Sequence, residues 1–169
     1  MHQAGLPDAR RSKLVRDAMQ RSVVPVLREL GFQGTMPNFH RQREDRLDLF
    51  NVQFSQNGQY FFANLGRLQL PPDRPGLAVK PSRAQLALAN CPLDQRTRLM
   101  TTILPPRLMH APLRAFEMWD FTAATDVEAE SLIDRLASQL CEFLPRFADP
   151  WWRDEKLQGP LPHPAIGPA

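Results

Sequence analysis

Five polar residues sit at spacings that can place them on a common surface. Asn51 and Gln53 lie two apart, Arg96 and Arg98 lie two apart, and Asn64 falls between the two pairs. In an extended chain, residues two apart point to the same side, so each pair shares a face of its strand. If those faces coincide, they make a polar patch on an otherwise structural sheet. Amides bond flat bases, peptide edges or other amides, and paired guanidiniums grip phosphate or carboxylate in bidentate fashion. A second reading stays open: the amides satisfy cross-strand partners and the arginines pair with Asp or Glu. His40-Arg41 sets a base beside an anion binder, but general-base work needs an orienting partner and a nucleophile in reach. No Ser or Cys motif accompanies it. Asp94, Glu117 and Asp120 offer oxygen ligands of the kind divalent cations take, without a known spacing pattern. Trp151-Trp152 follow Pro150, where indoles either lock the chain end onto the body or anchor a partner. No GxGxxG, HExxH or GxSxG occurs, which weighs against several common enzyme classes. The residues therefore point to a non-catalytic protein without a cofactor. Its partner-binding candidates are His40, Arg41, Asn51, Gln53, Asn64, Arg96, Arg98, Trp151 and Trp152.

Charge and cysteine usage narrow the setting. The formal net charge is +3, and 18 of the 21 basic residues are Arg. The densest cluster, Arg41, Arg43 and Arg46, is interleaved with Glu44, Asp45 and Asp48. A nucleic-acid binder concentrates positive charge on one face, because affinity scales with the phosphates contacted; a solvated surface is the simpler reading here. Cys91 and Cys141 are far apart, and His2, His40, His110 and His163 are scattered. Zinc takes about four ligands, typically in close pairs, so no metal site is expected. The N-terminus lacks the apolar core of a secretory signal, and no apolar run reaches the ~18–20 residues needed to cross a bilayer. These features predict a cytoplasmic protein with free thiols and no membrane association.

The elements that must carry these residues follow from periodicity. Val15, Met19, Val23, Val26 and Leu30 recur at helical spacing over Lys13 to Leu30, one face of an amphipathic helix. Gly31 stands where a left-handed C′ residue is wanted, with Phe32 folding back on the last turn. Pro25 predicts a kink or a break. Asn38–Gln42, Leu47–Ser55 and Tyr60–Leu68 read as an antiparallel meander, with turns at 43–46 and at Asn57-Gly58. Phe50, Val52 and Phe54 share one face of the second strand, and Leu49, Asn51 and Gln53 the other. A short helix over 82–88 and strands over 95–104 and 115–121 follow. Thr125 and Glu128 form a capping-box signature, opening a helix with Leu132, Ile133, Leu136, Leu140, Phe143 and Leu144 on its apolar stripe. This order predicts an α+β fold, a mostly antiparallel sheet of about five strands covered on one face by an N-terminal and a C-terminal helix. One domain spans 13–152, with an extension at 1–12, a Pro-rich insertion near 70–82 and a Pro-rich tail at 153–169.

Several of these pieces recur together. The helix end Val26-Leu27-Arg28-Glu29-Leu30-Gly31-Phe32 is followed by Phe39-His40-Arg41, Asp45 and Asn51-Val52-Gln53-Phe54-Ser55. Then come Phe62-Ala63-Asn64-Leu65-Gly66, Cys91, Arg96-Thr97-Arg98-Leu99 and Trp119. The ordered series resembles a bacterial family, the domain of unknown function 4304, from about Leu14 to Trp152. The insertion near 70–82 and the tail depart from it. The resemblance implies a fold and no reaction. Small bacterial domains of this kind are often encoded beside toxins, and that analogy implies an immunity protein that occludes a cognate toxin. The alternative is a nucleic-acid-associated module using Arg41, Arg43, Arg96 and Arg98.

Overall fold

The computed structural model describes residues 8–70, 88–103, 117–123 and 125–153. The 82–88 helix (apart from Leu88), nearly all of the 70–82 insertion and the tail after Arg153 lie outside these residues. The chain opens with a helix in three parts: α1 (Asp8–Ala18), a π turn (Met19–Val23) and α2 (Val24–Glu29). Residues 8–12, expected as an extension, therefore form its first turns. Just ahead of Pro25 a π turn divides the helix into two α-helical pieces, with no gap between them. That proline lacks an N–H and its ring crowds the carbonyl of Arg21, and the chain widens just upstream, where Val24 N–H reaches back to Met19 O. Gly31, at φ 85°, ends the helix in a Schellman motif: Gly31 N–H donates to Arg28 O (2.9 Å) and Phe32 N–H to Leu27 O (2.8 Å). Phe32 is thereby turned into the core.

Six strands follow among the described residues: β1 (Gln33–Thr35), β2 (Asn38–Gln42), β3 (Arg46–Phe54), β4 (Tyr60–Gln69), β5 (Arg96–Leu99) and β6 (Trp119–Asp120). All pairings are antiparallel, in the order β1-β2-β3-β4-β5, with β6 also on β4. The meander matches the alternation of the sequence to within a residue or two. β1 lacks an apolar alternation and is held instead by Arg28, which donates to Phe32 O (2.8 Å) and Gly34 O (2.6 Å). β5 and β6 are shorter than their apolar runs suggest. They divide one edge of β4 between them, and Trp119 Nε1 joins them by donating to Leu99 O (3.0 Å).

The last helix starts at the expected capping box, where Thr125 and Glu128 satisfy each other's backbone N–H. α3 (Asp126–Phe143) buries Ala129, Ile133, Leu136, Ala137, Leu140 and Phe143. Pro145 does not end it. A second π turn (Leu144–Ala148) accommodates that residue, and α4 (Asp149–Arg153) continues the helix. Trp151 and Trp152 therefore belong to the last helical turn and do not lie beyond it. No helix among the described residues is long and apolar enough to cross a membrane.

The helices cover the face bearing Phe39, Phe50, Val52, Phe61, Ala63, Leu65, Leu99 and Trp119. Arg41 and Asp48, directly paired across β2 and β3, lie on this same face and are buried. Arg41 donates to Asp48 Oδ2 (2.9 Å), Asp149 Oδ1 (2.7 Å) and Leu30 O (2.8 Å). Arg43 and Arg46 add bonds to the two oxygens of Asp48 (3.1 and 3.2 Å). The opposite face carries the Tyr60 and Phe62 rings at one end and, at the other, a small second apolar cluster of Leu47, Leu49 and Cys91. Cys91 reaches the sheet there because position 66 is Gly: a Cβ would stand 2.9 Å from Cys91 Sγ and 3.4 Å from Leu88 Cγ. Gly66→Ala should cost about 1–3 kcal/mol by overpacking, read by urea denaturation. Cys91→Ala, which removes the obstructing sulfur, should recover part of the loss. Full tolerance of Gly66→Ala would contradict this packing.

Candidate functional site

Between these apolar ends the face opposite the helices carries a polar row, and its order follows from strand register. Asn38 pairs with Asn51, Asn51 with Asn64, and Asn64 with Arg98. One residue from each of β2, β3, β4 and β5 thus forms a straight row across the sheet. The hydrogen bonds run in one direction. Arg98 Nε donates to Asn64 Oδ1 (3.1 Å). Asn64 Nδ2 donates to Asn51 Oδ1 (3.0 Å) and Gln53 Oε1 (3.2 Å). Asn51 Nδ2 donates to Asn38 Oδ1 (2.8 Å). Arg98 fixes this direction because a guanidinium has donors and no acceptor. Asn64 must turn its oxygen towards Arg98, and each later amide must follow.

Arg98 is itself held by Glu117 Oε2 (2.7 Å) and lies over the Phe62 ring, 4.1 Å from its centroid. The side chain of Arg96, two residues away on the same face, makes no hydrogen bond or ion pair with the described residues. Asn51, Gln53, Asn64, Arg96, Arg98 and Glu117 line a concavity of about 620 Å³ together with Leu88, Leu93 and Met100. Leu93 is 77% exposed, unusual for so large an apolar side chain beside a polar floor. The arrangement can present hydrogen-bond donors, one unengaged positive charge and an apolar edge to a ligand. No nucleophile paired with a base adjoins it among the described residues.

The nine expected site residues divide into two groups. Asn51, Gln53, Asn64, Arg96 and Arg98 converge on the concavity. Arg41 does not; it is buried on the helix side of the sheet between Asp48 and Asp149, with the Phe32 ring 4.7 Å away. Trp152 is fully buried and donates Nε1 to Gly66 O (3.2 Å). Trp151 is half-buried, with the Arg67 guanidinium 4.5 Å from its ring centroid. Both indoles hold the last described helical turn against the sheet. His40 shares the polar face but sits at its other end, opposite Leu49, where burial and then the Arg28 charge hold its imidazole below the usual range. Asp94, Glu117 and Asp120 do not gather: among the described residues no three His, Cys, Asp or Glu side chains are placed to hold a metal ion. Burial raises both thiols, Cys91 and Cys141, above their ordinary value, which leaves them poor nucleophiles.

Asn38, Glu117 and Leu93 were not expected as part of this site. Asn38 had a signal in the sequence: Asn38, Asn51 and Asn64 recur at intervals of 13 residues. With turns centred at Glu44-Asp45 and Asn57-Gly58, that interval makes the three direct neighbours. Asn64→Ala should cost about 1–3 kcal/mol, because the amide is buried and bonded on both sides. In a double-mutant cycle read by urea unfolding, Asn64→Ala and Arg98→Ala should be coupled by about 0.5 kcal/mol or more. Strict additivity would mean that the row is not one unit.

Comparison with known proteins places the whole assembly. Searches of curated proteins and of solved structures found no match. A family model described as "Domain of unknown function (DUF4304)" matches residues 23–154. That span runs from the π turn before Pro25 to just past Trp152, and it includes every described strand, the amide row and the buried Arg41 pairings. The chain therefore belongs to the DUF4304 family.

Proposed function

We propose that this chain is a non-catalytic protein-binding module, specifically an immunity protein of the bacterial cytoplasm that neutralises a cognate toxin by occluding it. The observation that supports this reading best is the concavity over the amide row. A floor of mutually bonded side chains is rigid before any ligand arrives, so little ordering entropy is lost on docking. Arg96 and the exposed Leu93 at its edge are the charged and apolar anchors that protein interfaces favour. The free thiols, Cys91 and Cys141, suit a reducing compartment.

The nucleic-acid reading finds less support, because its four arginines are divided between two faces. Arg41 and Arg43 engage Asp48 on the helix side, and Arg98 is paired with Glu117. Among the described residues of the concavity a strand of phosphates would meet a single unengaged arginine, Arg96, and phosphate affinity grows with the number of cations in contact.

The experiment expresses the product of the adjacent reading frame in a bacterial host, with and without this chain. The expected result is growth arrest relieved by the intact chain and relieved less by Leu93→Asp or Arg96→Glu. A harmless neighbour, or arrest that persists with the intact chain present, would refute the toxin reading.

A further inference from the structure

We infer that the concavity over the amide row selects a carboxylate, an acidic side chain presented by the protein partner and seated at Arg96. The inference deepens the reading above and rests on it for the nature of the partner. Its basis is the one-way run of hydrogen bonds. Every amide oxygen in the row already accepts: Asn64 from Arg98, Asn51 and Gln53 from Asn64, and Asn38 from Asn51. Gln53 Nε2 and the guanidinium of Arg96, both on the lining of the concavity, have no acceptor among the described residues. The unspent hydrogen-bonding capacity of the site is therefore weighted towards donors, and a complementary ligand must bring acceptors.

Charge selects among acceptor-bearing ligands. Glu117 neutralises Arg98 across 2.7 Å, so the lining carries one net positive charge, that of Arg96. One charge beside neutral amide donors matches a single carboxylate, which a guanidinium binds through two parallel hydrogen bonds. A nucleic-acid backbone needs several cations in a track. Leu88, Leu93 and Met100 on the same lining supply apolar surface for the residues flanking the acid, as a polypeptide would require and a free inorganic anion would not.

The test uses the full chain labelled with nitrogen-15 and two blocked pentapeptides, Gly-Leu-Glu-Leu-Gly and the same peptide with Gln at its centre. Inorganic phosphate and a mixed-sequence single-stranded oligonucleotide serve as competing probes. The Arg96 Nε–H and Gln53 side-chain amide resonances should move saturably with the glutamate peptide. Binding of the glutamine peptide should be about tenfold weaker or less detectable still. Arg96→Gln should erase the preference while the melting temperature is unchanged, and Arg96→Lys should keep part of it. Equal binding of the two peptides, a preference that survives Arg96→Gln, or phosphate or oligonucleotide binding as strong as the glutamate peptide would overturn the inference. A glutamate preference found alongside failure of the co-expression experiment would remove the toxin reading and leave the carboxylate site standing.

Discussion

The guanidinium of Arg41 is the point at which the end of the first helix and the start of the last helical turn meet. It accounts for one face of the sheet and, indirectly, for the freedom of the other. A buried guanidinium must satisfy several donors or its desolvation goes uncompensated. Arg41 does so with the carbonyl that ends the first helix, the carboxylate on the neighbouring strand and Asp149 at the start of the last helical turn. Asp48 is completely buried and would be the costlier charge alone, and three arginines surround it. The knot is also stacked: the rings of Phe32 and Trp152 lie 4.7 and 5.6 Å from the Arg41 guanidinium carbon. Such a network does not add stability simply by being present, since buried pairs often do no better than an apolar replacement. What it does is make wrong arrangements expensive, because any docking of the last helix that leaves Arg41 or Asp48 unpaired buries an isolated charge.

That constraint explains the two π turns. Asp149 and Trp152 must both arrive at β2, β3 and β4, and a helix interrupted by Pro145 would stop short of them. The widened turn carries the helix past that proline, much as the turn before Pro25 carries the first helix to Leu30 and Gly31. Once the helices are fixed to one face, the other face is left to the small Leu47–Leu49–Cys91 cluster and to the polar row. The polar row can then be organised by its own chemistry, with Arg98 setting the direction of every amide. The charged knot and the main core thus lie on one side of the same three central strands, and the polar row on the other.

Much of this was legible in the sequence, for physical reasons that differ between elements. The Schellman end at Gly31 and the capping box at Thr125 were readable because local backbone chemistry decides them. The two faces of β3 were readable because Phe50, Val52 and Phe54 alternate with Leu49, Asn51 and Gln53. Five of the nine expected site residues converge, since strand periodicity fixes which side they take. Arg41 and Trp152 were not distinguishable from surface residues in this way. Their partners, Asp48, Asp149, Leu30 O and Gly66 O, are supplied by elements up to 108 residues away, and no local pattern encodes them. The short extent of β5 and β6 was likewise hidden, because it depends on how they share a single edge of β4. Asn38 is the instructive omission: the turn centres imply the register, and register alone puts it beside Asn51.

The central claim is that the Arg41 knot commits the last helix to the sheet. Equilibrium urea unfolding of Arg41→Met tests it most directly, since methionine keeps much of the volume and removes every donor. Loss of the central partner of Asp48 and Asp149 should lower the unfolding free energy by about 3 kcal/mol or more, the range measured when one member of a buried ion pair is removed. A loss below about 1 kcal/mol, typical of exposed pairs, would show that apolar packing alone fixes the helix and would contradict the account.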